Sequence, residues 1–200
     1  MSRAGKQVDA VVVGGGVVGA AAALALANAG LSVTLVEGRE PPPWRADAPD
    51  LRVYALAPDN AALLQALGVW EAVRAARAPA YRQMRVWDAA GGDELRFDAD
   101  RLGRAQLGWI VENGLLVDRL WAELSLSGVQ LQCPATVAEL EQGDDDGVRL
   151  RLDDGRRIEA TMLIAADGAQ SALRSMAGIG VDVHDYGQRG VVAYIDSELP

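Results

Sequence analysis

One stretch of this chain, residues 8–37, restricts the possible folds more than any other. Its sequence is VDAVVVGGGVVGAAAALALANAGLSVTLVE. Val8–Val13 is a nearly continuous apolar run, which is typical of a strand buried on both faces of a parallel sheet. Residues 20–29 are strong helix formers, and residues 31–36 form a second apolar run rich in β-branched side chains. The order of strand, glycine turn, helix and strand predicts a βαβ unit.

Three glycines and one acidic residue make this unit typical of dinucleotide binding. Gly14, Gly16 and Gly19 have the spacing G-x-G-x-x-G, and an acid, Glu37, closes the second strand. The first glycine permits a tight turn, the second lets the backbone approach a pyrophosphate, and the third lets the helix pack closely on the sheet. Free N–H groups at the helix N-terminus favour phosphate. The Glu37 carboxylate can accept hydrogen bonds from ribose hydroxyls, and it would repel a 2′-phosphate.

The same stretch also has features of a membrane span and of a signal peptide. Residues 10–36 carry no charge, and Gly15 and Gly19 have the G-x-x-x-G spacing of a helix-pairing face. Arg3 and Lys6 precede the apolar run, as basic residues do in signal peptides. Three consecutive glycines in mid-span, with β-branched residues on both sides, favour strand, turn, helix and strand over these two alternatives.

The composition argues against several classes of function. The chain has 200 residues, and its 28 acidic and 19 basic residues give a formal net charge of −9. Nucleic-acid binding requires a basic face, so we expect no nucleic-acid partner. Cys133 and His184 are the only cysteine and histidine, which excludes an internal disulfide and an ordinary Cys/His zinc cluster. We therefore expect no metal site and a cytoplasmic location.

The rest of the chain predicts further strands and helices in a mixed order. A proline-rich segment, residues 38–49, follows the second strand and is expected to line the cofactor crevice. Asn113 stands where the N-cap of a helix belongs. The predicted strands are 51–57, 84–88, 94–97, 109–111, 129–132, 135–141, 148–152, 156–160, 162–166 and 191–195. The predicted helices are 58–70, 71–78, 114–126 and 169–177. This order predicts an α/β fold, with a Rossmann-like βαβ opening, a parallel sheet and a β-meander.

An acid–glycine pair, Asp167–Gly168, follows the late apolar strand 162–166. An aspartate at the carboxyl end of a strand, beside a glycine turn, can reach cofactor hydroxyls or bridge to a pyrophosphate through water. The alternative is that Asp167 only caps the helix that follows.

Five segments of the chain resemble the ubiquinone-biosynthesis hydroxylases, which belong to the FAD-dependent aromatic hydroxylases (group A flavoprotein monooxygenases). These segments are residues 11–30, 51–70, 107–116, 163–179 and 184–195. The glycine motif and the Asp-Gly pair are shared by the wider superfamily. The motifs R-V-x-A-L from residue 52, V-E-N at 111–113 and D-Y-G-Q at 185–188 point more narrowly to the quinone branch.

The resemblance implies a set of cofactor-binding residues and assigns no catalytic residue. The set is Gly14, Gly16, Gly19, Glu37, Arg52, Asn113, Asp167 and Gly168. Arg52 matches an arginine that lies along the flavin, and its alternative is a surface arginine before a strand. Asn113 falls near the ribityl or phosphate region, with helix capping as the open alternative. Asp167 matches the aspartate that is linked to both FAD and the reduced nicotinamide.

The resemblance also implies an activity. FAD would be the resident cofactor, NADH or NADPH the reductant, and O₂ the oxidant in hydroxylation of an aromatic ring of a polyprenylphenol or quinone precursor. The alternatives are another FAD-dependent aromatic hydroxylase, a prenyl-lipid reductase of the same fold, or a non-catalytic FAD-binding fragment. Peripheral contact with the inner membrane or with a biosynthetic complex is a further expectation, although no basic amphipathic helix supports it.

Members of this family are about twice as long as this chain and carry a second Gly-Asp motif, so the resemblance implies an amino-terminal portion. We assign residues 1–80 and 99–182 to a discontinuous FAD-binding domain. Residues 81–98 and 183–200 are assigned to the start of a substrate-binding sheet.

Overall fold

The structure is a computed structural model that describes residues 7–142, 147–195 and 198. The chain divides into two compact units, Met1–Pro42 with Leu120–Pro200 and Pro43–Arg119. The assignment of residues 81–98 and 183–200 to a substrate-binding sheet stays a prediction.

Strands and helices alternate at the beginning of the chain, and strands dominate its later part. In chain order they are β1 (Val8–Val13), α1 (Val17–Asn28), β2 (Val33–Val36), β3 (Val53–Leu56), α2 (Pro58–Ala66), α3 (Trp70–Arg77), β4 (Ala80–Tyr81), β5 (Gln83–Val86), β6 (Leu95–Asp98), β7 (Gly108–Glu112), α4 (Asn113–Leu124), β8 (Gln130–Gln132), β9 (Val137–Gln142), β10 (Val148–Leu152), β11 (Arg157–Ala165) and α5 (Ala172–Met176). A short 3₁₀ helix, Asp100–Leu102, follows β6.

The first unit is built on a six-stranded sheet in the order β8-β2-β1-β11-β10-β9. The neighbours from β8 to β11 pair in parallel, and β11, β10 and β9 pair antiparallel as a meander. In this register Val13 lies beside both Val36 and Ala165. The predicted α/β class, with a βαβ opening and a parallel sheet plus a meander, is confirmed.

Apolar strands fold in this way because both faces of the sheet are covered. Val11 and Val12, at the centre of β1, have no exposed surface. Helix α1 packs on β1 and β2, with the small side chains Ala20 and Ala23 fully buried. Small side chains allow a close approach of helix and sheet. The alternative of a membrane span over residues 10–36 is wrong, and among the described residues no helix is long and apolar enough to cross a bilayer.

The second unit contains two small antiparallel sheets, the helices α2 and α3, and the first part of α4. One sheet has the order β3-β7-β4, and β5 pairs with β6 in the predicted hairpin. Trp70 of α3 and Trp109 of β7 meet edge to face, with ring centroids 5.0 Å apart. The predicted helix 58–70 is shorter than expected, since Gly68 at φ +79° separates α2 from α3.

Three predicted strands differ from the structure. The strands predicted at 156–160 and 162–166 are one nine-residue strand, β11, whose Ala160 has neighbours on both β10 and β1. The strand predicted at 191–195 is not formed, although these residues favour strand geometry. Val191 and Ile195 are highly exposed. A strand is stable only where an adjacent strand satisfies its backbone N–H and C=O groups.

Candidate active site

Three loops meet at one edge of the large sheet. They follow β1, β2 and β11, whose carboxyl ends lie side by side because the strands are parallel and adjacent. The loops begin with Gly14, Glu37 and residues 166–167. A cleft of about 220 Å³ opens here, and its lining includes Gly14, Glu37, Thr136, Asp167 and Leu173. Ligands of open α/β sheets bind at this edge.

The packing of the chain itself requires two of the three motif glycines. Gly14 has φ +105°, and a Cβ there would overlap the carbonyl of Ala166. A Cβ on Gly19 would overlap the carbonyl oxygen of Gly14. These two glycines therefore permit the tight turn and the close approach of α1, as the sequence predicts.

Gly16 is different, because none of the residues that the structure describes requires a glycine there. Its φ of −68° and ψ of −175° suit any residue, and a Cβ would meet no atom within 4 Å. Gly16 is the N-cap residue of α1, and no side chain of the described residues accepts from the first N–H groups of this helix at the cap position. The first turn of α1 contains no acidic residue. The space in front of the first N–H groups of the helix is thus open and suits an anion, which fits the predicted pyrophosphate.

Glu37 is bonded to the glycine turn as well as facing the cleft. One carboxylate oxygen accepts from the N–H of Gly15 at 2.6 Å, and the other accepts from the N–H of Arg39 at 3.0 Å. An ionised carboxylate has about four lone-pair sites, so Glu37 keeps capacity for ribose hydroxyls. The sequence motif predicted the ribose role but not the bond to Gly15.

Trp121 is a neighbour of the turn that the sequence interpretation missed. Its indole N–H donates to the carbonyl of Gly15 at 2.7 Å, across 106 residues of chain. Trp121 lies on α4, where Leu120 and Leu124 are buried. The apolar pattern of this helix could have indicated a buried face, but no local pattern could have shown which turn the indole contacts.

Asp167 is used by the turn that follows it. Its carboxylate accepts from the Ser171 hydroxyl at 2.6 Å and from the Leu173 N–H at 3.2 Å. Partial burial acts to raise the pKa of Asp167, but these hydrogen bonds outweigh it and leave the pKa below its ordinary value. Asp167 therefore bonds to the start of the helix that follows it, as the capping alternative predicts, and it also lines the cleft. Gly168, beside it, is exposed and has φ +86°.

The other two predicted residues, Arg52 and Asn113, lie together in the second unit. The N–H of Asn113 donates to the carbonyl of Arg52 at 2.8 Å. The Tyr54 hydroxyl donates to the side-chain oxygen of Asn113 at 3.0 Å. The Arg52 guanidinium lies 5.6 Å from the centroid of the Tyr54 ring, and the residue is exposed. Their cofactor contacts stay a prediction.

The prediction that Asn113 caps α4 is wrong. Asn113 is the first residue of the helix, and its side-chain oxygen is bonded to Tyr54. The Asp50 carboxylate accepts from the N–H of Gly114 at 3.0 Å and from the N–H of Arg52 at 2.9 Å. A distant acid thus satisfies the end of the helix, which a local motif cannot reveal.

Glu112, the central residue of the V-E-N motif, is a buried acceptor in the second unit. Its side chain is 4% exposed and accepts from Arg77 at 2.8 Å. It also accepts from the Trp44 indole N–H at 3.1 Å and from the Asp50 N–H at 2.9 Å. Arg77 and Arg119 flank the Trp44 ring at 5.4 and 5.7 Å. Glu112 therefore binds the proline-rich segment at Trp44 and the residue that follows the segment, Asp50.

The donors and acceptors at the large sheet suit a dinucleotide. Uncapped helix N–H groups match phosphate, and the Glu37 carboxylate matches sugar hydroxyls. Within the parts of the chain that the structure describes, no group of three or more His, Cys, Asp and Glu residues could hold a metal ion.

The sequence matches known proteins over almost its whole length. A family described as FAD binding domain matches residues 7–197. The chain is 40% identical over 192 residues to 3-demethoxyubiquinol 3-hydroxylase of Escherichia coli (strain K12), covering 95% of this chain and 49% of that protein. It is 34% identical over 196 residues to ubiquinone hydroxylase UbiL of Rhodospirillum rubrum, covering 98% and 45%. The chain spans about half the length of these relatives.

A solved structure has the same fold. The flavin-dependent monooxygenase PieE, in complex with FAD and substrate, is 28% identical and superposes with a TM-score of 0.71. The match covers 89% of this chain and 33% of PieE.

Proposed function

The chain belongs to the FAD binding domain family, and on that premise we propose that it is the FAD-binding part of a monooxygenase of ubiquinone biosynthesis. The whole enzyme would hydroxylate an aromatic ring of a polyprenylphenol or quinone precursor, as the names of its relatives suggest. The resemblance to the ubiquinone-biosynthesis hydroxylases, predicted from the motifs, is confirmed by these relatives. The complete activity is proposed for a longer protein.

The observation that carries the proposal is the open space at Gly16. Gly16 stands at the start of a helix that has no side-chain cap, and a Cβ there would meet no atom of the described residues within 4 Å. Close approach of a ligand to the backbone explains why this residue is a glycine. The first N–H groups of α1 would bind the pyrophosphate, and Glu37 would accept from the adenosine ribose.

The remaining predicted residues would act on other parts of the cofactor. Asp167 and Gly168 follow the strand next to β1 and would face the middle of FAD, while Arg52 and Asn113 would contact its flavin half. FAD, when bound, supplies the redox chemistry that side chains lack, accepting electrons and activating O₂. The protein binds and orients the cofactor and keeps water from it.

The reductant and the location are parts of the same proposal. NADH or NADPH would deliver the electrons, and the sequence contains no second G-x-G-x-x-G motif that would bind it. The proposed location is cytoplasmic, with peripheral contact to the inner membrane or to a biosynthetic complex.

Retention of FAD tests the proposal on the chain itself. We expect the purified protein to be yellow, to release FAD on denaturation, and to quench flavin fluorescence when FAD is added back to the apoprotein. A colourless protein that fails to bind added FAD would contradict the proposal.

A second candidate is another FAD-dependent aromatic hydroxylase of the same fold, and the similarity to PieE, a flavin-dependent monooxygenase, is compatible with it. In the FAD-loaded longer protein, for which the activity is proposed, NAD(P)H oxidation is measured separately with a polyprenylphenol and with simple hydroxybenzoates, and the comparison separates the two candidates. Stimulation by the polyprenylphenol alone supports the quinone assignment, and stimulation by hydroxybenzoates alone supports the second candidate.

A further inference from the structure

Both backbone polar groups of Gly15, the middle residue of the glycine turn, are held by side chains from distant parts of the chain. The Glu37 carboxylate accepts from its N–H at 2.6 Å. The Trp121 indole N–H donates to its carbonyl at 2.7 Å. The G-x-G-x-x-G motif requires neither bond, and the residue at this position in the motif is unrestricted.

We propose that Trp121 is a positioning residue for FAD, which sets the orientation of the phosphate-binding turn through the Gly15 carbonyl. This inference rests on the proposed function, because the turn matters to FAD only if FAD binds there. Trp121 acts through the backbone and is assigned no contact with the cofactor.

Peptide geometry links the bond from Trp121 to the phosphate site. The peptide unit is planar and trans, so its N–H points away from its C=O. Holding the Gly15 carbonyl toward Trp121 therefore directs the Gly16 N–H to the opposite side. Glu37 fixes the preceding peptide, between Gly14 and Gly15, in the same way. Two consecutive peptide planes of the turn are thus each fixed by a side chain.

Three glycines in a row need such support. Glycine has the greatest backbone freedom of any residue, so an unsupported Gly14–Gly16 turn would lose the most entropy when it becomes ordered around a ligand. A turn that is already ordered in the free protein binds its ligand more tightly, because it does not lose this backbone entropy when the ligand binds.

The indole ring also explains why residue 15 is a glycine. A Cβ there would lie 2.7 Å from Cζ2 of Trp121 and 3.1 Å from Cβ and Cγ of Glu37. Gly15 and Trp121 are therefore sterically coupled. A larger residue at 15 is compatible with the turn only if the ring at 121 is smaller or moves.

The principal test compares Trp121→Phe with Trp87→Phe. Phe keeps an aromatic ring but has no N–H donor, and Trp87 is 69% exposed, which makes it a matched control. FAD affinity is measured by flavin fluorescence at a temperature where circular dichroism shows all proteins fully folded. We expect Trp121→Phe to bind FAD about threefold to tenfold more weakly, the effect of one lost hydrogen bond, and Trp87→Phe to bind like the parent.

A double-mutant cycle with Gly15→Ala tests the coupling. We expect Gly15→Ala to weaken FAD binding in the parent, and to weaken it less in the Trp121→Phe background, where the ring is smaller. A purely structural role of the indole in α4 predicts the same penalty in both backgrounds. Equal penalties would therefore overturn the assignment.

A signal that does not depend on FAD completes the test. The chain has five tryptophans, so five indole N–H resonances can be assigned with Trp→Phe variants. We expect the Trp121 resonance of the FAD-free protein to be protected from hydrogen exchange, and Gly15→Ala to shift it. A parent chain that binds no FAD would overturn the proposed function. A parent that binds FAD, with a Trp121→Phe variant that binds it equally well, would overturn only the role of Trp121.

Discussion

Each glycine of the turn has its own physical reason. Gly14 and Gly19 are fixed by contacts with the backbone of the protein, Gly15 is restricted by the Trp121 ring, and Gly16 faces open space. Substitution at each position should therefore affect different measurements. Substitutions within this one short segment can therefore separate effects on protein stability from effects on cofactor affinity.

Gly16→Ala should weaken FAD binding without harming the fold. The new methyl group meets no atom of the described part of the chain within 4 Å, so we expect a melting temperature within about 2 °C of the parent. It projects where the pyrophosphate would approach, so FAD affinity should fall roughly tenfold or more. Fluorescence titration and thermal melting measure the two effects.

Gly19→Ala is the matched control. Its methyl group would overlap the Gly14 carbonyl oxygen, so the protein should lose about 1–3 kcal/mol of unfolding free energy. Unchanged stability of Gly19→Ala, or unchanged FAD affinity of Gly16→Ala, would contradict this division of roles.

The hydrogen bond between Ser171 and Asp167 should make stability depend on pH. The lowered pKa of Asp167 means that its ionised form is favoured in the folded protein. That stabilisation is present above the pKa of the unfolded state and is lost as the pH falls through the lower, folded pKa. Ser171→Ala removes the bond to Asp167 and also the N-cap bond that the Ser171 hydroxyl accepts from the Arg174 N–H. We therefore expect it to cost about 1–2 kcal/mol of unfolding free energy at pH 7 and less near pH 3, where only the part that depends on the Asp167 charge is lost.

Urea denaturation at the two pH values measures this difference for Ser171→Ala. Ser125→Ala is the control, because Ser125 is exposed and its hydroxyl donates to two carbonyls of the preceding helix, those of Trp121 and Ala122. A cost for Ser171→Ala that is the same at both pH values would show that the charge of Asp167 is not involved.

At the scale of elements, the site is made where strands end. β1, β2 and β11 are adjacent and parallel, so the residues after them share one edge although they are far apart in sequence. In the second unit, β7 ends at Glu112 and α4 begins at Asn113, which places a buried acceptor directly before a predicted cofactor residue.

Glu112→Ala should destabilise the protein strongly. It would leave the Trp44 indole N–H and the Asp50 N–H without their shared acceptor and would remove the ion pair with Arg77. We expect a loss of about 3 kcal/mol of unfolding free energy. Glu112→Gln, which keeps one acceptor oxygen, should lose less.

The control for Glu112 is Glu71→Ala. Glu71 pairs with Arg74 at 3.6 Å, but both side chains are about two-thirds exposed, at 62% and 60%. Exposed pairs contribute little, so the loss should be under about 0.5 kcal/mol. Equal losses for the two alanine variants, measured by urea denaturation, would contradict the anchoring role of Glu112.

At the scale of the whole chain, the last strand among the described residues, β11, lies inside the large sheet. β11 sits between β1 and β10, so the parallel sheet is incomplete until residue 165 is present. Residues that follow α5 contribute no strand among those that the structure describes.

Two shortened chains test this arrangement. A chain that ends after Gly180 keeps every strand and helix of the described residues, and we expect it to retain FAD binding and to melt within a few degrees of the parent. A chain that ends after Gly155 lacks β11 and Asp167, and it should lose both cooperative unfolding and FAD binding. Circular dichroism and FAD titration measure both. Loss of folding in the chain that ends after Gly180 would show that residues 181–200 are required for the fold.

The sequence alone determined the βαβ opening, the glycine turn, Glu37 and the Asp-Gly pair, because each depends on apolar periodicity or on a local requirement of the backbone. Its motifs were also sufficient to predict an FAD-binding chain, in agreement with the FAD binding domain family that matches residues 7–197. Only the tertiary structure decided that Trp121 holds Gly15, that Asp50 rather than Asn113 satisfies the start of α4, and that residues 191–195 form no strand. These features depend on partners up to 106 residues apart, and a local pattern cannot specify which distant group a donor or a strand edge will meet.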